Sequence, residues 1–249
     1  MSEISQLRMP PAGVEAHAAG DLIDRHRHEY DQLIYVSTGV LAIHTDQGAW
    51  VGSRDRAIWI PAGTWHEHRA YGTTAVHTVG FSAGDDIALP GGSSTVLATD
   101  GLLRELLLAY TEPGLPAAES GRIRAVIRDR LSRADLRPLA LPLARDPRLA
   151  EACELVTADL GSPRTLAWLA SQVKAGERTL NRLYRGEFGM TYPQWRTTVR
   201  VFQAMIRLAE GATVTATAHE CGWSTTSAFI DAFGHAMGQT PGAFRANAH

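Results

Sequence analysis

One pattern occurs twice between residues 170 and 244, and nothing else in the chain restricts the fold as much. Ala170 leads to Lys174-Ala175-Gly176, then to Leu180 and Tyr184. Ala218 leads to Gly222-Trp223-Ser224, then to Phe229 and Phe233. Each copy is followed by a matching tail, Phe188-Gly189-Met190-Thr191-Tyr192-Pro193-Gln194-Trp195 and Met237-Gly238-Gln239-Thr240-Pro241-Gly242-Ala243-Phe244. The tail glycines, threonines and aromatic anchors sit 49 positions apart. A small residue, a glycine-bearing break and apolar residues at helical spacing predict helix, tight turn, helix. The alanine belongs where the two helices cross, because a larger side chain would push them apart. Gly222 reaches a left-handed turn conformation cheaply, and Ser224 is expected to cap the helix that follows. A long helix over about residues 192–210 separates the copies. In such a unit the second helix lies in the major groove of DNA.

The overall charge of −2 hides a gradient. Residues 174–207 hold seven basic against two acidic residues, whereas residues 1–149 hold fifteen against eighteen. A local basic stretch is what counts for phosphate contact, although the same stretch also suits a solvated helix face. Cys153 and Cys221 have no metal-ligand spacing and read as buried, reduced thiols. No apolar signal-peptide core and no run able to span a membrane is visible, so a cytoplasmic location is expected.

The string from Gly211 through Ala218, Gly222-Trp223-Ser224, Phe229, Phe233, Gly238 and Thr240-Pro241 to Phe244-Arg245 resembles the DNA-binding domain of AraC/XylS-type transcription regulators. The first copy matches through Leu169-Ala170, Arg178-Thr179-Leu180, Arg182, Gly189-Met190 and Arg200. The resemblance covers about the last 100 residues. It implies that Lys174, Glu177, Arg178, Asn181, Arg182 and Arg185 of the first unit face DNA, with Thr225, Thr226, Ser227 and Ala228 in the second. Arginine reads guanine with two bonds and asparagine suits adenine. Leu180, Leu183, Tyr184, Phe229, Phe233, Trp195 and Trp223 are expected in the core. The chain departs from the pattern at Lys174 and Gly176, where Gly and Ser are usual. Asp231 and Gly234 stand where basic residues are common, so the first unit is expected to carry most of the binding energy.

Residues 20–82 read differently. Short runs rich in Val, Ile, Tyr and Trp (Gln32–Ser37, Gly39–Thr45, Ala57–Ile60, Thr74–Phe81) are punctuated by Gly, Asp and Pro, as in a closed or sandwiched antiparallel sheet. Seven of the ten histidines fall in the first 77 residues. Gly20-x5-His26-x-His28-x3-Gln32-x6-Gly39 and Pro61-x-Gly63-x2-His66 resemble the two cupin motifs, with Gln32 in place of the usual Glu and Asp55 in place of a Gly. Strand alternation puts His26 and His28 on one face. The resemblance implies His26, His28, Gln32 and His66 as ligands of a transition metal ion. His68, two residues past His66, is placed to face the same side. A polar wall for an organic effector is the alternative, and Trp50, Trp59, Trp65, Tyr35 and Tyr71 are candidates for its aromatic surfaces.

The expected architecture is multi-domain. An all-β cupin-like sensor barrel spans residues 1–99. A helical segment at 100–136 is a candidate for dimerisation, with Leu102, Leu103, Leu106, Leu107 and Tyr110 on one stripe and Ile123, Val126, Ile127 and Leu131 on another. A proline-marked linker occupies 137–147, and an all-α domain of two helix-turn-helix units spans 148–249. The expected function is sequence-specific binding of double-stranded promoter DNA by a homodimer. A small molecule or metal in the barrel would control it, and an activator would also contact RNA polymerase. A metal-dependent cupin enzyme is the rival. Gln32 breaks the usual ligand set, no general base stands out, and the tandem units have no role in that reading. A DNA-binding architectural protein without an effector leaves the barrel unexplained.

Overall fold

The computed structural model describes residues 12–82, 85, 87, 89, 93–136 and 139–248. The segment before Ala12, and Arg137 and Pro138 at the start of the expected linker, lie outside this range. The chain divides into two compact units, residues 1–140 with 247–249, and residues 141–246. The first holds β1 (Ala12–His17), β2 (Leu22–His26), β3 (Asp31–Thr45), β4 (Gly48–Gly52), β5 (Arg56–Ile60), β6 (His66–Phe81) and β7 (Thr95–Ala98), then α1 (Gly101–Thr111) and α2 (Ala117–Leu131). A short strand, β8 (Ala140–Pro142), lies at the boundary. The second unit holds α3 (Pro147–Thr157), α4 (Leu166–Gln172), α5 (Glu177–Phe188), α6 (Tyr192–Ala209), α7 (Val214–Glu220), α8 (Thr226–Met237) and α9 (Pro241–Asn247).

All pairings among β1 to β7 are antiparallel. The long strands β3 and β6 pair along most of their length, from Asp31 opposite Phe81 to Thr45 opposite His66. β1 and β2 flank β6, while β4 and β5 flank β3. Both faces of this sheet are covered. Ile34, Val36, Leu41, Ile43, Trp50, Ile58, Ile60, Ala70 and Val76 form the interior core. Leu33, Tyr35, Trp59, Val79 and Phe81 form the other face and pack on Leu103, Leu107, Tyr110, Ile127 and Leu131 of the helices. Along β3 the interior residues switch from even to odd numbers between Val36 and Leu41. The register shifts there, and Gly39 takes φ +73. A Cβ at Gly39 would lie 2.5 Å from Thr74 Oγ1 and 2.6 Å from the Thr73 carbonyl oxygen, so this bulge admits only glycine.

The helices cover the sheet more narrowly than the sequence stripes suggest. Leu102 and Val126 are exposed, because the buried side of each helix is centred on Leu103–Leu107 and Ile127–Leu131. Asp100 caps α1 by accepting from the Leu103 amide at 2.8 Å. Arg124 fastens α2 to the sheet. It donates to Asp85, the Tyr110 hydroxyl and the Gly80 carbonyl, and lies 4.6 Å from the Phe81 ring centroid.

In the second unit the repeat in the sequence is a repeat in structure. Thr165 caps α4 and Thr213 caps α7 through equivalent side-chain bonds to the Trp168 and Ala216 amides. Ala170 and Ala218 are buried at the crossings. In both turns the residue after the left-handed position bonds back to this alanine, Ala175 N to Ala170 O and Trp223 N to Ala218 O, each at 2.9 Å. Lys174 at φ +52 and Gly222 at φ +82 occupy that same left-handed position. α5 and α8 both end on a left-handed glycine, Gly189 and Gly238.

Candidate functional site

The two second helices present different chemistry on one template. α5 and α8 each have 12 residues, offset by 49. Leu180, Tyr184 and Phe188 are buried in one, Phe229, Phe233 and Met237 in the other. Their outward positions follow from helical spacing. Glu177, Arg178, Arg182 and Arg185 are exposed on α5, with Asn181 half-buried among them. Arg178, Asn181, Arg182 and Arg185 line one shallow surface groove. Lys174 is exposed in the preceding turn.

On α8 the structural equivalents of Arg178, Asn181, Arg182 and Arg185 are Ser227, Ile230, Asp231 and Gly234. Ser227 and Ala228 are exposed and Thr226 is half-buried. Ile230, 37% exposed, and Asp231 share this outward side. Ile230 is absent from the sequence-predicted contacts, although the 49-residue offset from Asn181 points to it. Ser224 is not the cap of α8. Thr225 takes that role, accepting from the Ala228 amide at 3.1 Å. The second turn is one residue longer than the first, where Gly176 stands at the cap.

In the first unit, four imidazoles cluster at one end of the interior core. His66 and His68 share the inward face of β6 with Ala70, and His26 pairs with His66 across β2 and β6. One ring nitrogen from each of His26, His66 and His68 falls within 4.8 Å of the others. The Nε2 atoms of these three are buried and meet no hydrogen-bond partner among the described residues. Two of the rings are oriented by main chain. His26 Nδ1 lies 2.7 Å from the Asp24 carbonyl oxygen, and His66 Nδ1 lies 2.8 Å from that of Thr64. A carbonyl can only accept, so Nδ1 carries the proton and Nε2 keeps its lone pair, the arrangement usual for metal-ligating histidine. Burial, with the neighbouring His26 and His28, pushes the His66 imidazole down to about 4 against the opposing Thr64 bond. Burial and the neighbouring histidines hold His68 well below its ordinary value. Both rings are therefore neutral donors at neutral pH.

His28 is buried and borders this group, its ring centroid 4.9 Å from that of His26 and 5.2 Å from that of His66. It lies past the end of β2, so strand alternation does not place it. Gln32 is buried at the start of β3, opposite Ile60 and Gly80. Of the aromatic candidates, Trp50 belongs to the interior core, whereas Tyr35 and Trp59 pack against the helices. Trp65 carries Arg25 and Arg27 over its ring. Three buried, unpartnered nitrogen donors fit a transition metal ion held by His26, His66 and His68.

Comparison with known proteins gives each unit a relative. Residues 13–80 match the cupin domain family, and residues 169–247 match a helix-turn-helix domain family. The HTH-type transcriptional regulator NimR of Escherichia coli is 28% identical over 224 residues, which is 88% of this chain and 81% of that protein. The regulatory protein ada of Salmonella typhimurium is 31% identical over 98 residues, 39% of this chain and 27% of that one. Among solved structures, ToxT from Vibrio cholerae aligns over 95% of this chain and 97% of its own, at 10% identity and a TM-score of 0.43. Among the described residues no helix is long and apolar enough to cross a membrane. A cupin domain thus stands ahead of a helix-turn-helix domain, in a chain that is similar along most of its length to a transcriptional regulator.

Proposed function

We propose that the cupin domain is the sensor and that its receptor is the histidine group. A transition metal ion held by His26, His66 and His68, with His28 beside it, is the signal or the anchor for the signal. The observation that carries this reading is the convergence of three buried Nε2 atoms without protein partners. Leaving such atoms unsatisfied costs about 1–3 kcal/mol each, which metal ligation would offset. Three neutral imidazoles leave the ion its full charge, so an anionic co-ligand is the chemistry such a site would attract. Metal binding would shift affinity for promoter DNA, a coupling typically of about 1–3 kcal/mol. The groove of Arg178, Asn181, Arg182 and Arg185 supports α5 as the main reader of bases. The exposed Leu102 and Val126 support a homodimer through the helices after the barrel.

The test is metal content and DNA affinity measured on the same preparations. Wild-type protein titrated with Zn(II), Ni(II), Co(II) and Cu(II) should bind one equivalent of at least one ion, lost in His66→Ala and His68→Ala, and its operator affinity should change on binding. Failure of every ion to bind would rule out the metal reading. Binding without any change in DNA affinity would make the metal structural and the sensor proposal wrong.

A further inference from the structure

Arg196 and Arg200 stand on successive turns of α6 and line an open cleft with His219 and Ser224, walled on one side by Gly161 and Pro163. Their guanidinium groups are fixed by main chain. Arg196 Nη2 donates to the Ser162 carbonyl at 2.6 Å and reaches that of Leu160 at 3.5 Å. Arg200 Nη2 donates to the Leu160 carbonyl at 3.3 Å, and its guanidinium carbon lies 5.5 Å from the Trp223 ring centroid.

No carboxylate balances this pair among the described residues. The acidic residue of the adjoining loop, Asp159, accepts from the Gly161 and Ser162 amides and from the Ser162 hydroxyl, and its ion pair is with Arg164. Burial and the charge of Arg196 both hold the Arg200 pKa below its ordinary value. Each guanidinium also keeps a buried Nε–H that meets no acceptor among the described residues. Like charges one turn apart repel, and buried donors without acceptors cost stability. The main-chain bonds leave both costs in place, and an oxyanion would relieve them with charge-assisted bonds.

The cleft lies beside the N-terminal end of α8. Ser224 on its rim directly precedes Thr225, the cap of α8. The outward side of α8 carries Asp231 and no arginine or lysine. We propose that Arg196 and Arg200 clamp one backbone phosphate of the DNA strand flanking the groove entered by α8. The second unit would thereby gain from α6 the cationic anchor that its own recognition helix lacks.

Arg196→Gln in the full chain tests this, with Arg196→Lys as the charge-retaining control and circular dichroism to establish folding. Removing one arginine of the clamp should lower the slope of log affinity against log salt, by at most about 0.9. It should weaken specific and scrambled duplexes by the same factor, roughly tenfold. Arg196→Lys should keep the wild-type slope. Methylphosphonate placed singly along the half-site should reveal one position that weakens wild type more than Arg196→Gln, which keeps only Arg200 on that phosphate. A folded Arg196→Gln protein with an unchanged slope, or no such position, overturns the clamp. Stabilisation of the free wild type by inorganic phosphate, with the DNA salt slope of Arg196→Gln unchanged, would assign the cleft to a free anion and also overturn it.

Discussion

Gly222 and Lys174 occupy one structural position with opposite sequence solutions, so substituting each gives opposite outcomes. At φ +82, a Cβ on Gly222 would lie 2.1 Å from the Leu160 carbonyl oxygen, 2.8 Å from its carbon and 2.8 Å from Arg200 Nη2. The left-handed conformation costs an L-residue about 1–2 kcal/mol. The overlap is with backbone, which must retreat by more than 1 Å, roughly the gap to ordinary contact. That retreat strains the Arg200 bond to Leu160, worth about 1 kcal/mol. Gly222→Ala should therefore cost at least about 3 kcal/mol, a drop of roughly 10–20 °C for a unit of this size. Lys174 already carries a Cβ at φ +52. Lys174→Gly removes the left-handed penalty but frees the unfolded chain, for a net change within about 1 kcal/mol, neutral or stabilising. Thermal unfolding of full-length variants by far-ultraviolet circular dichroism, which reports the helical unit, is the assay. Gly222→Ala within about 1 kcal/mol of wild type would refute the fitted turn. A large loss in Lys174→Gly would refute the equivalence of the two positions.

Arg182→Ala should weaken operator binding by about 1–3 kcal/mol, whereas Asp231→Ala should leave it unchanged or tighter, as fluorescence anisotropy at fixed salt would show. Zn(II) or a better-fitting ion at about one hundred times its dissociation constant should raise stability by about 2.7 kcal/mol in wild type and not in His66→Ala, measured by thermal shift. Arg124→Met should loosen α2 and destabilise the first unit by about 1–3 kcal/mol, because Asp85 loses its partner. Arg124 holds the Asp85 carboxyl below its ordinary value of 3.8. Its stabilisation is thus fully present above that pH and fades as pH falls toward the lower folded value. The gap between wild type and Arg124→Met should narrow below pH 3.8 accordingly.

The helical half was legible because its constraints are local. A left-handed turn, a crossing alanine and a capping threonine each need a particular residue type, and each occurs twice. The cap of α8 was misplaced by one residue because Ser224 is the stronger capping residue type, and only the longer second turn gives the role to Thr225. The histidine group was half legible. Alternation from His66 to His68 is visible in the sequence, whereas His26 and His28 are not strand neighbours, because β2 ends at His26. The interior face of β3 was hidden for a similar reason. The bulge at Gly39 breaks the period of two that would otherwise assign Leu41 and Ile43 to the same side as Leu33.

The extra residue in the second turn governs any attempt to exchange base-reading side chains between the units. Counted from the turns, the copies are 48 residues apart, and counted from the helices they are 49 apart. A transplant counted from the turn is rotated by about 100° around the helix axis. It would set Asn181's side chain at Phe229 and Arg185's at Phe233, two buried aromatics. The protein would unfold instead of changing its preferred DNA. Counted from the helices, the same four side chains land on Ser227, Ile230, Asp231 and Gly234, and the exchange becomes a change of address written on an intact scaffold.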